Sequence, residues 1–187
     1  MKYNLPSNIE YINYYSTSGL STKHWGPSGW NFLFSCVMGA YPVKLTKCKE
    51  HQEIKKHFQQ LFSNMAYIMP CIFCRESYKL FYKELPIKPF LKGRIELMFW
   101  LYLIRDKVNQ KLIKQEQKCY NDEKKKLKKQ FKKGLINQEQ YYNQIKDFKK
   151  NSFVTLQSPP FKEVLDKYEN IRAKCYAKAK KCSLDGK

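Results

Sequence analysis

The 187-residue sequence has no run of the roughly 18 apolar residues that a membrane-spanning helix requires. Its N-terminus, MKYNLPSNIEYINYYSTSG, lacks the apolar stretch of a secretory signal. Both absences predict a soluble chain, made in the cytosol and without a membrane span. Glycine is scarce, at 7 residues, while lysine, glutamate and glutamine abound, which favours helices over sheet. Histidine is scarcer still: the three residues His24, His51 and His57 show no zinc-finger spacing. Among seven cysteines only one C-x-x-C occurs, so a metal reading lacks its second pair of ligands and no metal is expected. No internal repeat and no low-complexity tract is evident.

Acidic residues are in the minority, 16 against 36 Lys and Arg, for a net charge of +20. Much of the excess falls in NDEKKKLKKQFKKG and IKDFKK. Charge so concentrated attracts nucleic acid, acidic protein tails or anionic surfaces with little selectivity, which predicts a polyanion or acidic partner there. A solvated helix face with interspersed acids has the same composition.

Residues 1–22, polar and tyrosine-rich, read as an arm. In GPSGWNFLFSCVMGAYP, Pro27 suits a helix's first turn, and Trp30, Leu33, Phe34, Val37 and Met38 recur at helical steps. A second helix is expected from about Glu50 to Met69, burying Ile54, Phe58, Leu61, Phe62, Met65 and Ile68. Pro70 interrupts it, and a third should start within the Cys71–Cys74 turn and run until LPIKP. A fourth, RIELMFWLYLIRDKVNQKL, is apolar on most of its circumference at first and so must be central. After SPP a short fifth carries Phe161, Val164, Leu165, Tyr168 and Ile171. Between them, residues 115–157 read as a charged helical hairpin of two helical patterns around KKGLINQ, where Gly134 supplies a helix end. The expected fold class is all-α: a four-helix bundle with a short fifth helix and an inserted charged hairpin.

The segment MPCIFCRESY holds the C-x-x-C. Cys71 and Cys74 at a helix start lie within disulfide reach, and the helix dipole favours the thiolate of the first. A redox pair is the favoured reading over half a metal site or two buried sulfurs, because cytosolic thiols are otherwise kept reduced. Thioredoxin-like proteins use such a pair too, but the βαβ pattern they need is missing. A dithiol in a helical frame needs an electron acceptor. Trp25, Trp30, Phe34, Trp100, Tyr102 and Tyr168 are able to line a pocket for a flat one, an isoalloxazine or adenine; singly, each reads equally as core.

KHWGPSGWNFLFSCVMGAYP, PCIFCRESY, WLYLIRDKVNQKL and SPPFKEVLDKY, in this order and spacing, resemble the flavin-dependent sulfhydryl oxidases of the Erv/ALR family, particularly its viral members. The resemblance covers about Lys23 to Leu112 and Ser158 to Ile171. It implies a four-helix bundle with a short fifth helix holding FAD noncovalently, a C-x-x-C beside the flavin, and molecular oxygen reduced to hydrogen peroxide. Cys71 and Cys74 match the family's redox pair, with Cys74 proximal to the flavin and Cys71 exchanging with thiol-containing protein substrates. The implied cofactor-binding set is Trp25, Gly26 and Trp30 at the first helix, Phe34, Tyr102, Arg105 and Asp106, then Asn109, Lys111 and Lys114 on the fourth, and Lys167 and Tyr168 on the fifth. Two departures stand out: the family usually has histidine at Phe34 and His-Asn at Arg105-Asp106. The poxvirus branch looks similarly altered at these places, and Arg105 is able to meet a phosphate or stack on adenine.

Family members relay electrons through a second, mobile cysteine pair, so Cys175 and Cys182 are the expected shuttle. Two helical turns separate them, about 10 Å of rise, too far for a disulfide, so they pair with each other only if the helix ends between them, or they pair with other sulfurs. Cys36 and Cys48 flank the first connection and are able to bridge there, or Cys36 is core; Cys119 is the odd one out. The resemblance further implies a homodimer, and a viral enzyme of the host cytoplasm with the virion as a second location. The expected organisation is an arm (1–22), an oxidase domain (23–174) with the hairpin inserted at 115–157, and a cysteine-bearing tail (175–187). The alternative function is a basic virion or nucleic-acid-binding protein that retains the oxidase fold without turnover.

Overall fold

The computed structural model describes residues 19–151, 157–176 and 181–183. Residues 1–18 of the expected arm, and most of the expected tail, lie outside them. Within the described residues the chain is helical apart from one three-residue ribbon. Among them, no helix is long and apolar enough to cross a membrane.

The first helix, α1 (Thr22–Ala40), starts upstream of Pro27, so this proline lies inside the helix and not in its first turn. Its missing N–H removes one backbone bond near the helix end. The extra turn is held by the Trp25 indole N–H, which donates to the Leu20 carbonyl at 3.3 Å. Leu33, Phe34, Val37 and Met38 form the buried stripe of α1, as the spacing predicts. On α2 (Lys49–Ile68), Phe58, Phe62 and Ala66 are buried at four-residue steps. Ile68, expected on that face, is 64% exposed, because the chain turns at Met69 and Met69 takes the inward position.

Helix α3 (Ile72–Glu84) follows at once, and a 3₁₀ turn at Lys88–Phe90 leads into α4 (Arg94–Lys132). Helix α1 packs on α4, α2 on α3, α3 on α4, and α6 (Phe161–Glu169) lies over α1 and α4. The centre is aromatic: Trp100, fully buried, meets Phe62 at 4.8 Å between ring centroids. Its indole N–H donates to the Leu85 carbonyl at 3.0 Å, and the buried hydroxyls of Tyr41 and Tyr78 donate to the carbonyls of Leu91 and Phe62. These bonds spare the core unpaired polar groups. Trp100 is therefore part of the core cluster. On α6, Val164 and Tyr168 are buried, but Ile171 lies beyond the helix end and is 53% exposed.

The main departure from expectation is α4. It does not stop near Leu112 but runs unbroken for 39 residues, so that the first arm of the hairpin is its own continuation. No glycine or proline interrupts it between Arg94 and Lys133, and the lysines, glutamines and leucines of its outer half are good helix formers. It ends where Gly134 adopts a φ of +70° and the Leu135 N–H donates back to the Gln130 carbonyl at 3.0 Å. Helix α5 (Gln138–Asn151) returns along it. Its start is set by a reciprocal cap: the Gln140 N–H donates to Asn137 Oδ1, and the Asn137 N–H to Gln140 Oε1. The hairpin seam holds buried Leu127, with Phe131 against Tyr141 and Tyr120 against Phe148.

After α6 the backbone forms an antiparallel ribbon of β1 (Lys174–Tyr176) and β2 (Lys181–Ser183), in which Cys175 is the Cα partner of Cys182. The helical spacing of about 10 Å expected between these two cysteines does not apply. Directly opposed residues of an antiparallel pair lie about 4.5–5.5 Å apart at Cα, within the disulfide range.

Candidate redox site

Pro70 ends α2 and forces a turn, so Cys71 takes an extended conformation (φ −138°, ψ 124°) and becomes the N-cap of α3. Its sulfur accepts a hydrogen bond from the Cys74 N–H at 3.3 Å, satisfying one of the orphan donors of the first turn. The two thiols are unbridged; Cys71 is buried, at 8% exposure, and Cys74 is half-buried.

The thiol of Cys74 is pushed up to about 12, chiefly by burial, then by its hydrogen bond with Cys71 and the Cys71 charge; Lys111 and Arg75 pull the other way. Both cations are fixed in place. Arg75 Nη1 donates to the Met69 carbonyl at 2.6 Å, clamping the turn, and Lys111 Nζ donates to Ser77 Oγ, tying α4 to α3.

The turn is held from a third side by the chain's own N-terminal segment. Gly19 pairs with Cys71 in an isolated antiparallel bridge, and the Leu20 N–H donates to the Pro70 carbonyl at 2.6 Å. Because Trp25 holds the Leu20 carbonyl, the start of α1 is linked to the cysteine turn.

A second cluster sits where α1, α4 and α6 meet. Phe34, fully buried, stacks on Tyr168 at 5.3 Å, with Trp30 at 6.4 Å from Phe34 and the Arg105 guanidinium 6.0 Å over the Phe34 ring. Burial raises the Tyr168 hydroxyl, with Arg105 opposing. Asn31 Oδ1 accepts from both Tyr168 Oη and Lys167 Nζ at 3.1 Å. Tyr102 belongs to a neighbouring ring group with Phe99 and Phe161. Asn109 Nδ2 donates to Ser158 Oγ at 2.8 Å, and Lys114 is exposed on a groove of about 680 Å³ between α3 and α4 that Ser77 and Lys111 also line. Asp106 is half-buried and, among the described residues, makes no ion pair with Arg105. A Cβ at Gly26 would meet nothing within 4 Å.

Asn31, Ser77 and Ser158 escaped the sequence reading. Each is a lone polar residue whose partner is 34 to 137 positions away, which leaves no local pattern. Of the other cysteines, Cys36 is half-buried against the core and Cys48 is exposed; they are unbridged. The hydroxyl of Thr46 donates to Cys48 Sγ at 3.1 Å and lowers that thiol. Cys119 is exposed and free on the hairpin. Among the described residues no group of His, Cys, Asp or Glu is arranged to hold a metal.

The residue types fit a flavin dinucleotide: a dithiol beside fixed cations, rings at the α1–α6 junction, amides at Asn31 and Asn109, and open space at Gly26. A family model described as the Erv1/Alr family matches residues 27–132. Among solved structures, the yeast Erv1 core is 26% identical, over 57% of this chain and 84% of that one, with a TM-score of 0.42. No curated protein matches the chain.

Proposed function

We propose that this chain, which belongs to the Erv1/Alr family, is an FAD-linked thiol oxidase that forms disulfides in protein substrates. The observation that carries the reading is the Cys71–Cys74 pair at the start of α3, with Lys111 and Arg75 beside Cys74. In the oxidised enzyme, a substrate thiolate attacks Cys71 Sγ; the Cys71–Cys74 bond breaks as the mixed disulfide forms, and Cys74 leaves as thiolate. Lys111 and Arg75 stabilise that leaving charge. A second substrate thiolate then attacks the mixed disulfide, releasing the substrate disulfide and the Cys71 thiol. FAD, when bound, would supply a two-electron, two-proton acceptor for the dithiol, with O2 as the terminal oxidant and H2O2 as the product. The rings of Trp30 and Tyr168 and the cations Arg105, Lys111 and Lys114 hold the cofactor in this reading, with Trp25, Gly26, Phe34, Tyr102, Asp106, Asn109 and Lys167 around them.

Three finer assignments belong to the same reading. Cys175 and Cys182 act as the shuttle pair, a role supported by their opposition in the ribbon. The enzyme is a homodimer through α1 and α2, where Phe32 is 64% exposed. It is of the large DNA virus type, acting in the host cytoplasm and carried in the virion, on the motif resemblance alone.

The test is flavin content together with oxygen uptake on dithiothreitol. The protein should purify yellow with FAD, consume oxygen and release peroxide, and Cys74→Ser should abolish turnover. A colourless, inactive protein would instead favour the alternative, a basic nucleic-acid-binding protein without turnover. Oxygen consumption retained in Cys74→Ser would remove the pair from the mechanism.

A further inference from the structure

The outer half of α4 carries lysines that the thiol chemistry does not use. At about 3.6 residues per turn, Tyr120, Leu127 and Phe131, which make the seam with α5, share one side of the helix, and Lys118, Lys125, Lys129 and Lys132 fall on the opposite side. All four are exposed, and Lys133 extends the row. From Lys118 to Lys133 the stripe is about 22 Å long. Lys125, Lys126, Lys129 and Lys133 line a shallow groove of about 310 Å³ on the same helix, together with Asp122. Of these lysines Lys126 alone is paired among the described residues, to Glu123 at 3.4 Å. Between residues 115 and 157, eleven lysines stand against five acids, so local carboxylates do not neutralise the stripe.

We propose that this stripe is a docking surface for the phosphate backbone of duplex nucleic acid. Lysines three and four positions apart on a helix are about 5–6 Å from one another, close to the spacing of successive phosphates. Leu135, at the end of the groove, is its one apolar lining residue, and both aromatics of this stretch, Tyr120 and Phe131, make their ring contacts across the seam, so the lysine row lacks the aromatic cluster that dominates protein–protein interfaces. For the same reason it has no platform on which single-stranded bases would stack. No arginine stands between Arg105 and Arg172, so no planar fork is present to read guanine edges, and binding is to backbone, independent of sequence.

The test is fluorescence anisotropy with the full chain and two unrelated duplexes of about 20 base pairs, between about 50 and 200 mM salt. Both duplexes should bind equally, and log K should fall with log salt with a slope of about −4 to −5 for five lysine contacts. The triple variant Lys118→Gln/Lys125→Gln/Lys129→Gln should lose about three units of slope, while the equally charged control Lys47→Gln/Lys56→Gln/Lys92→Gln keeps it. Equal loss in both variants would reduce the binding to net charge and overturn the proposal. So would polyglutamate of matched charge binding as tightly as duplex, which would make an acidic protein the partner. Cys74→Ser should bind duplex as the unaltered chain does, so failure of the oxidase reading and failure of this one are separable.

Discussion

Gly19 lies opposite Cys71 in an antiparallel bridge, with a φ of +82°, and so close that a Cβ on it would stand 2.0 Å from the Pro70 carbonyl oxygen. Only glycine fits there, and the strap it forms packs on the turn that buries Cys71, the sulfur assigned to substrate exchange.

Gly19→Ala should therefore detach the strap. The strained backbone costs about 1–3 kcal/mol locally, and relief comes by releasing the segment before α1 from the Pro70–Cys71 turn. Alkylation of Cys71 in the reduced protein should rise several-fold, measured by mass spectrometry against exposed Cys119 as internal reference. An unchanged ratio would show that the strap does not limit access to Cys71.

Cys74 supplies a pH dependence. Burial pushes its thiol up to about 12 in the folded chain from an ordinary value of 9.0, so the folded state holds the proton more tightly. The stability this contributes is fully present below pH 9 and is lost as pH rises toward 12. The urea midpoint of the reduced protein should fall across that window, and less steeply in Cys74→Ser. Lys111→Met, which removes an opposing charge, should move the pH profile of Cys74 alkylation upward. A downward move would contradict the placing of that cation.

Much of this site was legible because it is local. Pro70 before Cys71 announces both the end of α2 and the cap of α3, and the three- and four-residue steps of Leu33, Phe34, Val37 and Met38 announce the buried face of α1. What was not legible is non-local or depends on continuity. The change of composition near Gln115 looks like a boundary, yet nothing there breaks a helix, so α4 runs on. Gly19 stands in a polar segment without periodicity, and its partner is Cys71, far along the chain. Asn31 is one polar residue on an apolar helix, and only the docking of α6 gives it Lys167 and Tyr168.

Phe32 tests the dimer. It projects from α1 at 64% exposure, on the side away from buried Leu33, Phe34 and Val37. Phe32→Glu should leave helicity and thermal midpoint near their original values while converting a dimer to a monomer in light scattering at micromolar concentration. A chain that is monomeric without the substitution would remove α1 from the interface.

The hairpin tests how far the redox site extends along α4. In its seam Tyr120 meets Phe148 and Phe131 meets Tyr141, Leu127 is buried on the same side of α4, and the bundle's core cluster contains none of these residues. Leu127→Ala should therefore cost about 2–5 kcal/mol of hairpin packing while the cysteine turn keeps its geometry. Deleting residues 116–150 and joining Gln115 to Asn151 through a short flexible linker goes further. It keeps Asn109, Lys111 and Lys114 on α4, and Ser158, which accepts from Asn109. FAD content and dithiothreitol oxidation should stay near those of the intact chain, while duplex binding disappears with the lysine stripe. Loss of FAD on deletion would show that the hairpin covers the cofactor and belongs to the site. Duplex binding that survives deletion would move the nucleic-acid surface elsewhere on the molecule.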